Sequence, residues 1–206
     1  MKRQVTCAAV LLTCLLGAFA ADARVRTVTD PTAPRALPAE GPVSVKWTDP
    51  AQFTEIRYSG NRFEAQQGNW VQSLAEYFRT SAGKQLPAGD RLDITITDIK
   101  RAGEYEPSHG PRGHDVRIVK DLYPPRISFS YVWTGANGQV IDQGEKKLID
   151  TAFLTSTLPF NDTDPLRYEK NMIDDWSRRQ FRDAGARSAN ASGTANGGVA
   201  DAGRTD

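Results

Sequence analysis

Ile127, Phe129, Tyr131 and Trp133 alternate with Ser128, Ser130 and Val132, and Gly135-Ala136-Asn137-Gly138 follows directly. Strict alternation of this kind describes a strand with one face buried, and a glycine-asparagine turn returns the chain antiparallel to itself. Gln139 to Asp150 is the returning strand, with a bulge expected at Gly144. A buried aromatic sheet face needs a cover, and the rest of the chain must supply it.

Two helical stripes meet that need. Trp70, Leu74 and Phe78 recur four apart after Gly68-Asn69, flanked by Val71, Ala75 and Ala82, with Tyr77 widening the stripe. Gly83 and Pro87 mark its end. A final helix begins at Asp164 as N-cap, with Pro165 at the first helical position. Its stripe is Met172, Ile173, Trp176 and Phe181.

Two further strands show the two-residue period. Val43-Ser44-Val45-Lys46-Trp47 ends at Asp49-Pro50, and Arg91 to Asp98 points Leu92, Ile94 and Ile96 inward. Val116 to Lys120 is a shorter candidate. Tyr123-Pro124-Pro125-Arg126 is a stiff, extended lead into the strand at Ile127. The order strand, helix, strands, helix implies an α+β single domain, a mostly antiparallel sheet with two helices packed on one face.

The ends differ from this middle. Lys2 and Arg3 precede an apolar run from Cys7 to Phe19, and Ala18-Phe19-Ala20 is a small-x-small cleavage site. Residues 1–20 therefore read as a secretory signal peptide, and the expected location is the periplasm. The run is too short to span a bilayer. Lipidation at Cys14 is disfavoured, because Thr13 precedes it and the apolar run would be halved. Both cysteines, Cys7 and Cys14, fall inside the signal. The remainder then has no thiol, which suits an oxidising compartment and excludes a cysteine nucleophile or a thiolate zinc site.

Residues 21–42, with prolines at 31, 34, 38 and 42, read as a flexible linker, and 43–183 as the folded domain. Residues 184–206 are almost entirely small or polar and read as a disordered tail. Loss of Lys2 and Arg3 with the signal takes the formal net charge from +1 to −1. A nearly neutral domain lacks the footprint of a nucleic-acid binder.

The G-x-S-x-G, G-x-G-x-x-G, P-loop and H-E-x-x-H signatures are absent. The segment Glu104 to Asp115 is the one place that invites chemistry. It gathers both histidines, His109 and His114, with Glu104, Glu106, Asp115 and Arg112, and Arg117 and Arg126 follow closely. These eight residues form a candidate ligand or partner surface, because guanidinium groups suit carboxylates and phosphates. Pairing of the arginines with Glu104, Glu106, Asp115 and Asp121 would make the cluster structural instead. The alternative is a metal-dependent hydrolase using the Glu104–Asp115 loop. No catalytic residue, metal or cofactor is assigned. Asp174 and Asp175, adjacent on a helix, are expected to point apart into solvent.

Several stretches together resemble one family. They are Trp47-Thr48-Asp49-Pro50, Phe53-Thr54-Glu55-Ile56-Arg57, Leu86-Pro87-Ala88-Gly89, Asp115-Val116-Arg117-Ile118-Val119, Tyr123-Pro124-Pro125-Arg126-Ile127, Tyr168-Glu169-Lys170 and Asp174-Asp175-Trp176. Over residues 43–182 the chain is similar to the DUF3016 family of bacterial exported proteins. The resemblance implies an exported protein of Gram-negative origin and implies no activity. The expected function is a non-catalytic binding or scaffold domain of the cell envelope. Its partner would be an envelope protein or a small anionic ligand.

Overall fold

The computed structural model describes residues 27–106, 113–155 and 163–195. The signal segment, His109 and Arg112 lie outside the described residues, as does the tail beyond Ala195. A four-stranded sheet forms the centre, in the order β1 (Val43–Trp47), β2 (Arg91–Lys100), β5 (Arg126–Thr134), β6 (Val140–Ile149). β1 and β2 are parallel; the other neighbours are antiparallel. The parallel step is possible because three helices connect those strands: α1 (Thr54–Arg57), α2 (Arg62–Gln66) and α3 (Trp70–Gln85). A separate two-stranded ribbon pairs β3 (Glu104–Tyr105) with β4 (Arg117–Ile118). The strand expected over Val116–Lys120 is this shorter one.

The alternating residues do what their period requires. Val43, Val45 and Trp47, then Leu92, Ile94 and Ile96, then Ile127, Phe129, Tyr131 and Trp133 are all buried on one face. A register shift between Ile96 and Asp98 restarts the alternation, so Ile99 also points inward. The hairpin turn closes at Gly135–Gly138, where Gly138 takes a φ of 81°. Asp90 clamps the same end, accepting from Trp133 Nε1 at 2.8 Å and from the Ala136 N–H at 3.0 Å. The bulge of β6 is not at Gly144, which pairs in register with Tyr131. It is at Ile141, where the pairing jumps from Asp142 to Val140.

Helices α3 and α4 (Arg167–Ala195) cover that face. α3 buries Trp70, Val71, Leu74, Ala75, Phe78 and Ala82 and continues through Gly83. α4 starts at Arg167 and not at Pro165; Asp164 opens the turn before it, its carboxylate accepting from the Leu166 N–H at 2.8 Å. Met172, Ile173, Trp176 and Phe181 are buried. Trp176 stands edge-on to Phe129 at 4.8 Å between ring centroids, with Phe78 and Tyr131 each at 5.9 Å. The helix backbone continues to Ala195, into the stretch whose composition suggested a tail.

Two segments depart from their sequence character. Residues 27–42, proline-rich, lie against the domain. The Leu37 N–H donates to Val45 O, the Trp47 N–H donates to Arg35 O, and Val28 and Leu37 pack on the core. Asp174 is half-buried and does not point free into solvent. It accepts from Tyr77 Oη at 2.7 Å and Ser81 Oγ at 2.5 Å, joining α4 to α3. Among the described residues no helix is long and apolar enough to cross a membrane.

Candidate functional site

The charged groups converge where β2 ends. Glu55 on α1 is 1% exposed, and three cations surround it. Lys100 Nζ lies 3.3 Å from Oε2, and Arg101 Nη2 lies 3.2 Å from Oε1. Arg117 on β4 also binds Oε1, and the Arg101 N–H donates to Oε2 at 2.9 Å. A carboxylate here satisfies its lone pairs only because β2, α1 and β4 meet at this point.

The cations are themselves spent. Lys100 donates to the carbonyls of Arg101 and Gly103 and pairs with Glu104 at 3.3 Å. Arg117 donates to the carbonyls of Ala102 and Gly103. The guanidinium of Arg101 lies over the Trp70 ring at 4.8 Å, and that of Arg117 over Tyr105 at 4.6 Å. Gly103 allows the close approach. Its φ is +82°, and a Cβ there would meet Ile118 O at 2.7 Å.

Electrostatics follow from this arrangement. Burial alone would raise the Glu55 pKa, but Arg117, Arg101 and Lys100 reverse that and hold it below the usual carboxylate range. Arg117 is held above its ordinary value: burial opposes this, and Glu55 outweighs it.

A second acid lies beside the cluster. Glu169 on α4 is 0% exposed, and its Oε1 accepts from the Ala102 N–H at 2.6 Å. Its Oε2 has no partner among the described residues. Burial pushes its pKa up. A raised carboxyl pKa in the folded state means stability falls as pH rises through that folded pKa. Glu169→Gln keeps the acceptor for Ala102 and cannot ionise. Its melting temperature is expected to lack the decline that ionisation of Glu169 imposes on wild type as pH rises above the ordinary carboxylate range, as thermal scans across the pH range will read.

Of the eight residues marked by sequence, six are described, and those six divide among separate contacts. Glu104 and Arg117 reach the cluster, but the partner of Arg117 is Glu55, not a carboxylate of its own loop. Glu106 and Asp115, the other described carboxylates of that loop, bond elsewhere. Glu106 pairs with Lys120 at 2.8 Å. Asp115 accepts from Asn61 Nδ2 at 3.2 Å, and the His114 carbonyl accepts from the same amide at 2.8 Å. Arg126 starts β5, backbone-paired to Lys100 and Ile149, and has no ion pair with a described residue. Among the described residues no three His, Cys, Asp or Glu side chains are placed to share a metal ion.

Sequence reasoning missed Glu55, Lys100, Arg101 and Glu169. Glu169 had a signal: it lies four before Ile173 and seven before Trp176, on the core stripe. A groove of about 610 Å³ lies elsewhere, between residues 27–38 and the start of α3, and none of the six described site residues lines it.

The Asn61 contacts have one more consequence. They fix the corner between α1 and α2 against the Gly113–Ile118 stretch. Tyr58 and Phe63 at that corner are 67% and 70% exposed, and Val116 is 55% exposed.

No curated protein and no solved structure matches the chain. The sequence pattern of one family, described as a protein of unknown function (DUF3016), matches residues 41–179. The whole ion cluster, α3 and the first part of α4 fall within that span, and the chain belongs to the DUF3016 family.

Proposed function

We propose that the chain is exported to the periplasm and serves as a non-catalytic binding domain of the cell envelope. Its partner surface is the Arg57–Phe63 corner with the adjoining Gly113–Ile118 stretch. The observation that carries this reading is the exposure of Tyr58 and Phe63 on a corner held firmly from behind. Exposed aromatics grouped on a rigid base are the usual anchors of protein–protein contacts. Arg57 lies over the Tyr58 ring at 5.4 Å and keeps it presented. Behind the corner, Glu55 and Glu104 pair with Lys100, Arg101 and Arg117, and the role of this cluster is to brace the surface. The basic, apolar and small-residue order of residues 1–20 supports export, as does the absence of cysteine after Cys14.

A photo-crosslinking residue placed at position 63 in periplasmic protein tests the reading. Adducts are expected from position 63, not from position 139 in the hairpin turn, and Tyr58→Ser should abolish them. No adduct at 63, or equal adducts at both positions, overturns it.

A further inference from the structure

The two edges of the sheet are treated differently by the chain. The outer edge of β1 is paired by Arg35–Leu37, its own preceding segment. On the outer edge of β6 no further strand of the described residues pairs with Gln143–Ile149. The Asp150 N–H points inward, to Pro125 O at 3.4 Å. Backbone polarity alternates along an antiparallel strand, so Gln143, Glu145, Lys147 and Ile149 turn their N–H and C=O groups outward. Such a row is a template for another strand.

We propose that β6 is a self-association edge: two copies pair β6 antiparallel about a two-fold axis normal to the sheet. The four-stranded sheets then join into one of eight strands. The sequence of β6 selects both partner and register. With the axis at Lys146, Glu145 stands opposite Lys147 of the second copy, and the symmetry repeats the pair. On the other face Gly144 stands opposite Leu148 of the second copy. A Cβ on Gly144 would meet nothing within 4 Å, so there is room for that leucine. Lys146 faces its counterpart on the axis, but each ammonium already lies over its own Tyr131 ring at 5.8 Å. The half-exposed Ile149 falls diagonal to Ile141 of the second copy, which shields both.

The same residues reject other partners. A parallel second copy in register sets Glu145 against Glu145 and Lys147 against Lys147. A basic strand meets Lys146 and Lys147. Like charges directly opposite destabilise a pair, so the antiparallel copy is the favoured occupant. A two-fold contact of this kind is self-limiting, because it consumes the free edge of both copies.

Sedimentation equilibrium of the signal-free chain, from micromolar to millimolar concentration, tests the proposal. Wild type is expected to dimerise with concentration. Lys147→Glu places acid opposite acid twice and should weaken the dimer by about tenfold or more. Glu145→Lys combined with Lys147→Glu restores complementarity and should restore the dimer. Circular dichroism melts confirm that each variant folds. A wild type that stays monomeric throughout overturns the proposal. So does a Lys147→Glu variant that dimerises like wild type, or a double variant that fails to recover.

Discussion

Glu55→Ala is expected to lower stability by about 3–5 kcal/mol, the cost of breaking a buried ion pair by removing one partner. The loss comes from what remains. Lys100, Arg101 and Arg117 are each mostly buried, and only Lys100 would keep a carboxylate partner, Glu104. Arg117→Ala should cost less, because Lys100 and Arg101 still neutralise Glu55. The effect also carries a pH signature. The folded pKa of Glu55 is depressed, so its stabilisation is complete above the unfolded pKa. It fades as pH falls through the folded value. Chemical denaturation of wild type and Glu55→Ala, at neutral and acidic pH, should show the gap narrowing on acidification. A Glu55→Ala midpoint equal to wild type at neutral pH would refute the keystone role. Glu64→Gln, on the neighbouring helix, serves as a control expected to change stability by less than about 0.5 kcal/mol.

Trp176→Ala is the second large effect, expected at about 3–5 kcal/mol. Its indole is buried among Phe78, Phe129, Tyr131 and Phe181, with centroids between 4.8 and 6.4 Å away. Removing it opens a void at the point where both helices meet the sheet. It also removes edge-to-face pairs worth about 0.5–1.5 kcal/mol each. The indole N–H has no partner among the described residues. Trp176→Phe is therefore expected to retain the greater part of the stability, since no hydrogen bond is lost. Urea unfolding of both variants decides this. Equal losses would show that Nε1 has a partner after all, and a loss below about 1 kcal/mol for Ala would remove Trp176 from the core.

Residues that interact mainly with their own neighbours were legible from the chain. Alternation over Ile127–Trp133 and Leu92–Ile96 identified strands and their buried faces. The spacing of Trp70, Leu74 and Phe78 identified a helix, and Asp164-Pro165 lies in the turn just before another. These signals are local because side-chain direction repeats every two residues in a strand and every 3.6 in a helix. Pairing order is not local. That β1 lies parallel to β2, with β5 and β6 beyond, depended on how three helices return the chain.

The charged residues show the same division more sharply. The Glu104–Asp115 segment drew attention because its charges are close in sequence. Arg117 instead finds Glu55, sixty-two positions earlier, because the fold brings β4 to α1. Asp174 looked solvated beside Asp175, yet α3 brings Tyr77 and Ser81 to it. The proline-rich stretch before β1 looked like a linker, yet an open strand edge offered it backbone partners. In each case composition described the residue and a distant segment supplied its environment. The sequence by itself determined which residues must be inside and in what local conformation, because the hydrophobic period is written in adjacent positions. Tertiary structure alone decided which charge meets which, because a buried ion is stable only where several separate segments place donors around it.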